Sequence, residues 1–191
     1  MRLHLNKPGI RALGVAESFV PSRRWSSLAG VVMRADLVID GAALGRASVG
    51  GDDATASIAS LCRRLQRNDL NLLMVSGCIL SLYNIVDVDE LSRKTRLPVV
   101  CLTYRETAGI EDAIRRRFPD RAAKKLEAYR LLGERRQVAL GGGRKVFVRA
   151  AGASAEEAAR LLRMFTLQGS VPEPVRVARL LARSALPLTR S

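Results

Sequence analysis

The run Leu70–Cys78, LNLLMVSGC, is the most constraining stretch of the chain. A short, nearly all-apolar segment reads as a strand, and one that is apolar on both faces needs cover on both faces. Residues 97–103, LPVVCLT, are of the same kind, and residues 87–95 between them read as a helix. Strand, helix and strand in that order imply a parallel crossover, and with it an α/β domain.

The remaining elements follow from apolar periodicity and breakers. Residues 10–19 read as a buried strand bounded by Pro8-Gly9 and Pro21. Residues 26–34 and 37–46 read as two more, paired as a hairpin across Ala35-Asp36. Gly50-Gly51 breaks the pattern, and Asp52 or Asp53 is placed to cap the next helix, whose apolar face is Ile58, Leu61, Cys62 and Leu65. Helices are expected at 109–117 and 120–132, separated by Pro119, and a hairpin at 135–149 around Gly141-Gly142-Gly143. The last two helices carry capping boxes, Ser154 with Glu157 and Ser170 with Glu173, the latter with Pro172 in the first turn. Without repeats or a low-complexity linker, the expectation is one domain over residues 1–191, the last two helices (154–186) forming a C-terminal extension.

Composition adds a partner class. Lys plus Arg number 32 against 18 Asp plus Glu, a formal charge of +14. Such a field attracts polyanions and releases counterions as phosphates are neutralised. The excess is mostly arginine, which suits bidentate phosphate contacts. Cys62, Cys78 and Cys101 form an odd set without CxxC spacing and read as buried hydrophobes in a reducing compartment. The single histidine, His4, leaves little for histidine catalysis or a His/Cys metal site. There is no run of 18 apolar residues, so no membrane span is expected. The first residues lack the pattern of a secretory signal, so the expected compartment is the cytoplasm.

The order strand-strand-strand-helix-strand-helix-strand is that of the ribonuclease H-like nuclease fold, a mixed central sheet flanked by helices. The wording of the segments goes further. GVAESF at 14–19, LAGVVMR at 28–34, VGGDDAT at 49–55, SGCILSLYNIVDVDEL at 76–91 and LPVVCLTY at 97–104 resemble an archaeal family related to endonuclease V, some members of which are described as endonuclease dU. The resemblance runs from about residue 10 to the C-terminal helix. It implies a Mg²⁺- or Mn²⁺-dependent endonuclease acting on deaminated or damaged DNA, with DNA ahead of RNA as substrate. Carboxylates in such a site hold Mg²⁺ through oxygen, and water attacks the phosphodiester.

The chain departs from that pattern where the acids matter. The family carries two adjacent acids after the Gly-Val of the first strand, and here they are Ala16 and Glu17. It carries an Asp before the Gly of the fourth strand, and here that residue is Ser76. Gly50 also replaces an acid, whereas Asp53, Asn84 and Asp87 are kept. Three readings stay open. Glu17 reaches across to hold the metal with Asp53 and Asp87; or the chain binds nucleic acid without cutting it; or the pocket does different chemistry. Each acid also has an ordinary reading: Glu17 pairs with Arg23 or Arg24, Asp53 caps a helix, and so does Asp87. Ser76 has no histidine or nearby lysine to activate it as a nucleophile.

Several basic segments suit a polyanion track. Arg115, Arg116 and Arg117 end one helix, Arg121, Lys124 and Lys125 follow closely, and Arg176, Arg179 and Arg183 share a face of the last helix. Arg23, Arg24 and Trp25 lie at a strand end, in the place of the endonuclease V wedge, where an aromatic ring stacks on an unpaired base. A basic subunit that meets an acidic protein partner is the remaining alternative.

Overall fold

A computed structural model of the chain describes residues 9–104 and 109–186. Its order is β1 (Arg11–Ser18), β2 (Trp25–Arg34), β3 (Ile39–Ser48), α1 (Ala54–Arg64), β4 (Leu72–Val75), β5 (Ile79–Leu80), β6 (Asn84–Ile85), α2 (Val88–Thr95), β7 (Val99–Thr103), α3 (Glu111–Arg117), α4 (Ala122–Leu131), β8 (Arg136–Gly141), β9 (Arg144–Ala151), α5 (Ala155–Met164) and α6 (Glu173–Ser184). Seven strands form one mixed sheet in the order β3-β2-β1-β4-β7-β9-β8. Strands β1, β4 and β7 run parallel at its centre, and the flanking pairs are antiparallel. This is the expected ribonuclease H-like arrangement.

Period-two alternation sorts the central strands onto two cores. Leu13, Val15, Leu73, Val75, Val99 and Cys101 face α1 and α2. Ala12, Leu72, Met74, Val100 and Leu102 face α5 and α6. The double-sided burial read in residues 70–78 and 97–103 is therefore real, although β4 itself is only Leu72–Val75. Gly77, with φ at +99°, turns the chain out of the sheet just after it.

Helix α6 lies directly on β1. A Cβ at Gly14 would stand 2.2 Å from the Pro174 carbonyl carbon. Val175 and Phe165 sit in the same core, so the two C-terminal helices complete the second face of the sheet. On the other face, a Cβ at Gly30 would meet the Leu61 side chain at 2.5 Å, which is how α1 seats on β2.

Two local expectations change. The turn between β2 and β3 spans Ala35–Val38, with Leu37 at a φ of +65°, so β3 starts and ends two residues later than expected. The second capping box does not form: Pro172 is the N-cap of α6, and the Glu173 carboxylate bonds Arg176 within the helix. The first, at Ser154 and Glu157, does form. The β5–β6 hairpin carries no separate signal in the apolar run it interrupts, and it proves central to the acidic site.

Candidate functional site

Two of the three expected metal ligands, Glu17 and Asp53, are tied to that hairpin. Glu17 is the next residue after Ala16, so alternation along β1 turns the two side chains to opposite faces. Ala16 is buried against Ala178 of α6. Glu17 points the other way and accepts the Ser81 backbone N–H (2.6 Å) and hydroxyl (2.7 Å) on its two oxygens. Asp53 precedes α1 but does not cap it through its side chain. Its carboxylate turns back to the Ser48 N–H (3.1 Å) and Oγ (2.8 Å), and accepts Asn84 Nδ2 at 2.7 Å. The Asn84 Oδ1 in turn accepts the Ala54 N–H at 2.9 Å, taking over the cap. Asn84 and Ser81 are joined by their own backbone bond, so Glu17 and Asp53 hang from one hairpin.

The third acid has a separate task. Asp87 is the N-cap of α2 and accepts the Glu90 N–H at 2.8 Å. Asp52 is paired with Lys124 and Lys125. Lys125 is 1% exposed, and its ammonium also bonds the carbonyls of Gly51 (2.7 Å) and Tyr83 (3.0 Å). It therefore locks the loop before α1 to the hairpin. Partial burial alone would raise the Asp53 carboxyl, yet the Asn84 and Ser48 bonds outweigh it and hold the carboxyl below its usual range. For Asp52, burial is outweighed in the same way by the two lysines.

A divalent cation is held by several oxygen ligands at once. Here Glu17 and Asp53 each accept hydrogen bonds on both oxygens, Asp52 is served by an ammonium group, and Asp87 caps α2. Among the described residues, no group of three His, Cys, Asp or Glu side chains comes together. The positions where the resembled family carries acids, 16 and 76, open instead toward α6.

Arg179 occupies that α6 side. Its Nε and Nη2 both donate to the Ser76 hydroxyl, at 2.9 and 2.8 Å, and its guanidinium lies 4.5 Å from the Tyr104 ring centroid. Beyond it opens a cavity of about 590 Å³ at the carboxyl ends of β4 and β7, lined in part by Arg135, Arg149, Arg179, Tyr104 and Tyr129. Burial pushes the Tyr104 phenol up to about 12, against the opposing charge of Arg179, so it stays a neutral donor. Cys78, on the same wall, is held below the usual thiol range by its bond with Cys101 and by Arg149, while Cys101 is pushed up. Apart from Ser76 and Arg179, sequence reasoning missed this pocket, because its walls come from eight separate stretches of the chain.

The remaining basic residues are spread over the surface. Trp25 is half-buried at the start of β2, with the Arg24 guanidinium 5.0 Å and the Arg46 guanidinium 4.6 Å from its ring. Together with Arg23 they line a groove of about 440 Å³. Arg115 and Arg116 are exposed at the end of α3, and Arg115 pairs with Asp112. Arg176 pairs with Glu173, and Arg183 is exposed. Glu17, expected as a partner of Arg23 or Arg24, bonds Ser81 instead. Among the described residues, no helix is long and apolar enough to cross a membrane.

Comparison with known proteins agrees with this architecture. The chain is 37% identical over 174 residues to a UPF0215 protein of Pyrobaculum aerophilum, covering 91% of this chain and 92% of that one. Its fold is similar to that of a protein of unknown function from Archaeoglobus fulgidus, with a TM-score of 0.80 and 26% identity over 92% of this chain and 97% of the other. It is also similar to endonuclease V of Ciona intestinalis, solved with a DNA containing an inosine followed by a ribo-adenosine, with a TM-score of 0.63 and 12% identity over 93% and 86% of the two chains. The family model of endonuclease dU matches residues 8–186, and with nearly the whole chain covered, this protein belongs to that family.

Proposed function

We propose that this protein binds nucleic acid, DNA ahead of RNA, through its arginine-rich surface, and that this binding needs no divalent metal. The observation that carries the reading is Trp25 flanked by Arg24 and Arg46 beside an open groove. A half-buried ring with two guanidinium groups against it puts an aromatic surface for a base and two cations for its phosphates beside the groove. The net charge of +14 and the DNA complex of the Ciona relative point the same way. In this reading Glu17 and Asp53 are positioning residues for the β5–β6 hairpin. The test is the affinity for a single-stranded oligonucleotide in EDTA. Trp25→Ala is expected to weaken it by about 1–3 kcal/mol, the usual worth of one stacked base. Unchanged affinity in that variant would sink the reading.

A second reading is that the protein cleaves deaminated DNA with Mg²⁺ or Mn²⁺, as the family name suggests. One observation favours it: Glu17 and Asp53 share a face of the sheet and a single hairpin. It requires a metal ion to share both carboxylates with their present donors. Duplexes carrying uracil or hypoxanthine, incubated with either metal, test it directly. Cutting that disappears in both Glu17→Gln and Asp53→Asn establishes the nuclease; intact duplexes across the panel count against it.

A further inference from the structure

We propose that the cavity at the carboxyl ends of β4 and β7 is a phosphoryl-binding pocket centred on Arg179 and Ser76. It rests on the nucleic-acid reading above only for the source of the phosphoryl group.

Arg149 and Arg179 both line the cavity, with Arg135 beside them, and among the described residues the lining holds no carboxylate. Cations gathered around a concavity focus a positive potential more than a flat basic surface does. The cavity, about 590 Å³, is deep enough to admit a phosphoryl group with part of what carries it.

The donors are also held in place. Arg179 is fixed along one edge by Ser76 and against one face by Tyr104, and its Nη1 takes no part in the Ser76 pair. A guanidinium fixed in this way loses little freedom when an anion arrives. Arg149 is steadied by its Nε bond to the Gly133 carbonyl at 3.0 Å. The Tyr104 hydroxyl is buried and has no hydrogen-bond partner. A buried hydroxyl left unpaired is rare, and this one belongs to a residue of the cavity lining. A phosphoryl group presents several anionic acceptor oxygens and is matched by walls of this kind, which are rich in donors.

Position 76 supplies no carboxylate to hold a metal in the same place. An acid there would bring a carboxylate to the cavity mouth, whereas Ser76 brings a neutral hydroxyl already bonded to a cation. Binding is therefore independent of Mg²⁺.

The test uses the full chain in EDTA at constant ionic strength, with two probes. Inorganic phosphate is titrated while the melting temperature is followed. Two single-stranded oligonucleotides of one sequence, one with a terminal phosphate and one with a terminal hydroxyl, are then compared for affinity. The expected result is a saturable rise in melting temperature and at least a tenfold preference for the phosphorylated strand. Both effects should vanish in R179M and in Ser76→Asp, and weaken in Tyr104→Phe. Tyr104→Phe and Arg149→Gln carry the test if R179M fails to fold. Equal affinity for the two strands with no phosphate effect overturns the pocket and leaves the nucleic-acid reading standing. A phosphate effect lost in R179M, with neither strand bound, keeps the pocket with free phosphate as its ligand and removes that reading. A preference that survives in R179M overturns the role of Arg179.

Discussion

Lys125 is a charge with almost no exposed surface, and its ammonium is shared among Asp52 and two backbone carbonyls. Removing the ammonium leaves the Gly51 and Tyr83 carbonyls without their donor, while Asp52 keeps Lys124. Lys125→Met is expected to cost about 1–3 kcal/mol in urea denaturation. Adding Asp52→Ala should cost less than the sum of the two single changes, because the pair is coupled. Asp53 gives a prediction in pH. Its folded carboxyl is held below its usual value, so the stability it contributes is present above about pH 4, the unfolded value. That stability is lost as pH falls through the lower, folded value. The melting temperature of the wild type should fall from pH 5 to pH 3, and that of Asp53→Asn should start lower and fall less. The asparagine would turn a second N–H donor toward Ser48, a loss of about 1–3 kcal/mol. These acids were visible in the sequence as residues, but their tasks were not. Asp53 looked like a helix cap, and Asn84, whose amide oxygen caps the helix instead, sits 31 residues further on.

At the scale of elements, the seat of α6 on β1 is the tightest contact between a helix and the sheet. The backbone of Pro174 and Val175 fills the space above Gly14, where any side chain would collide with main-chain atoms. Gly14→Ala is expected to cost at least the ~1–3 kcal/mol usual for overpacking, read as a lower denaturation midpoint. Arg179 binding should weaken with it, since the helix that carries the guanidinium must lift. Strand burial was legible from the chain because Leu72–Val75 and Val99–Thr103 are apolar at every position but the last. The β5–β6 hairpin was not, since each of its strands is two residues long and no period can show in so few. The false capping box at Ser170 has a similar cause: Ser–x–x–Glu fits the spacing, but the Glu173 N–H bonds the Phe165 carbonyl at 2.7 Å and draws the helix start past the serine.

For the whole molecule, the charge of +14 pointed to a polyanion from composition alone, while the placement of that charge needed the fold. Some arginines are spent on internal pairs: Arg11 and Arg67 close a network with Asp40 and Asp69, and Arg176 bonds Glu173. Others line the Trp25 groove and the Arg179 pocket. The logarithm of affinity for an oligonucleotide should fall linearly with that of salt, and Arg24→Gln should reduce the slope by about 1, the signature of one lost phosphate contact. An unchanged slope would place the nucleic acid on another face. The last helix ties these scales together. Pro174 seals the sheet, and Arg179, little more than one turn later on the same helix, sets the charge of the pocket. Shape and affinity thus share a single point of failure. A collection of random variants selected only for loss of ligand should be rich in changes around Gly14 that never touch the pocket, and a variant that keeps an undisturbed sheet while lacking the cation should arise almost only at residue 179 itself.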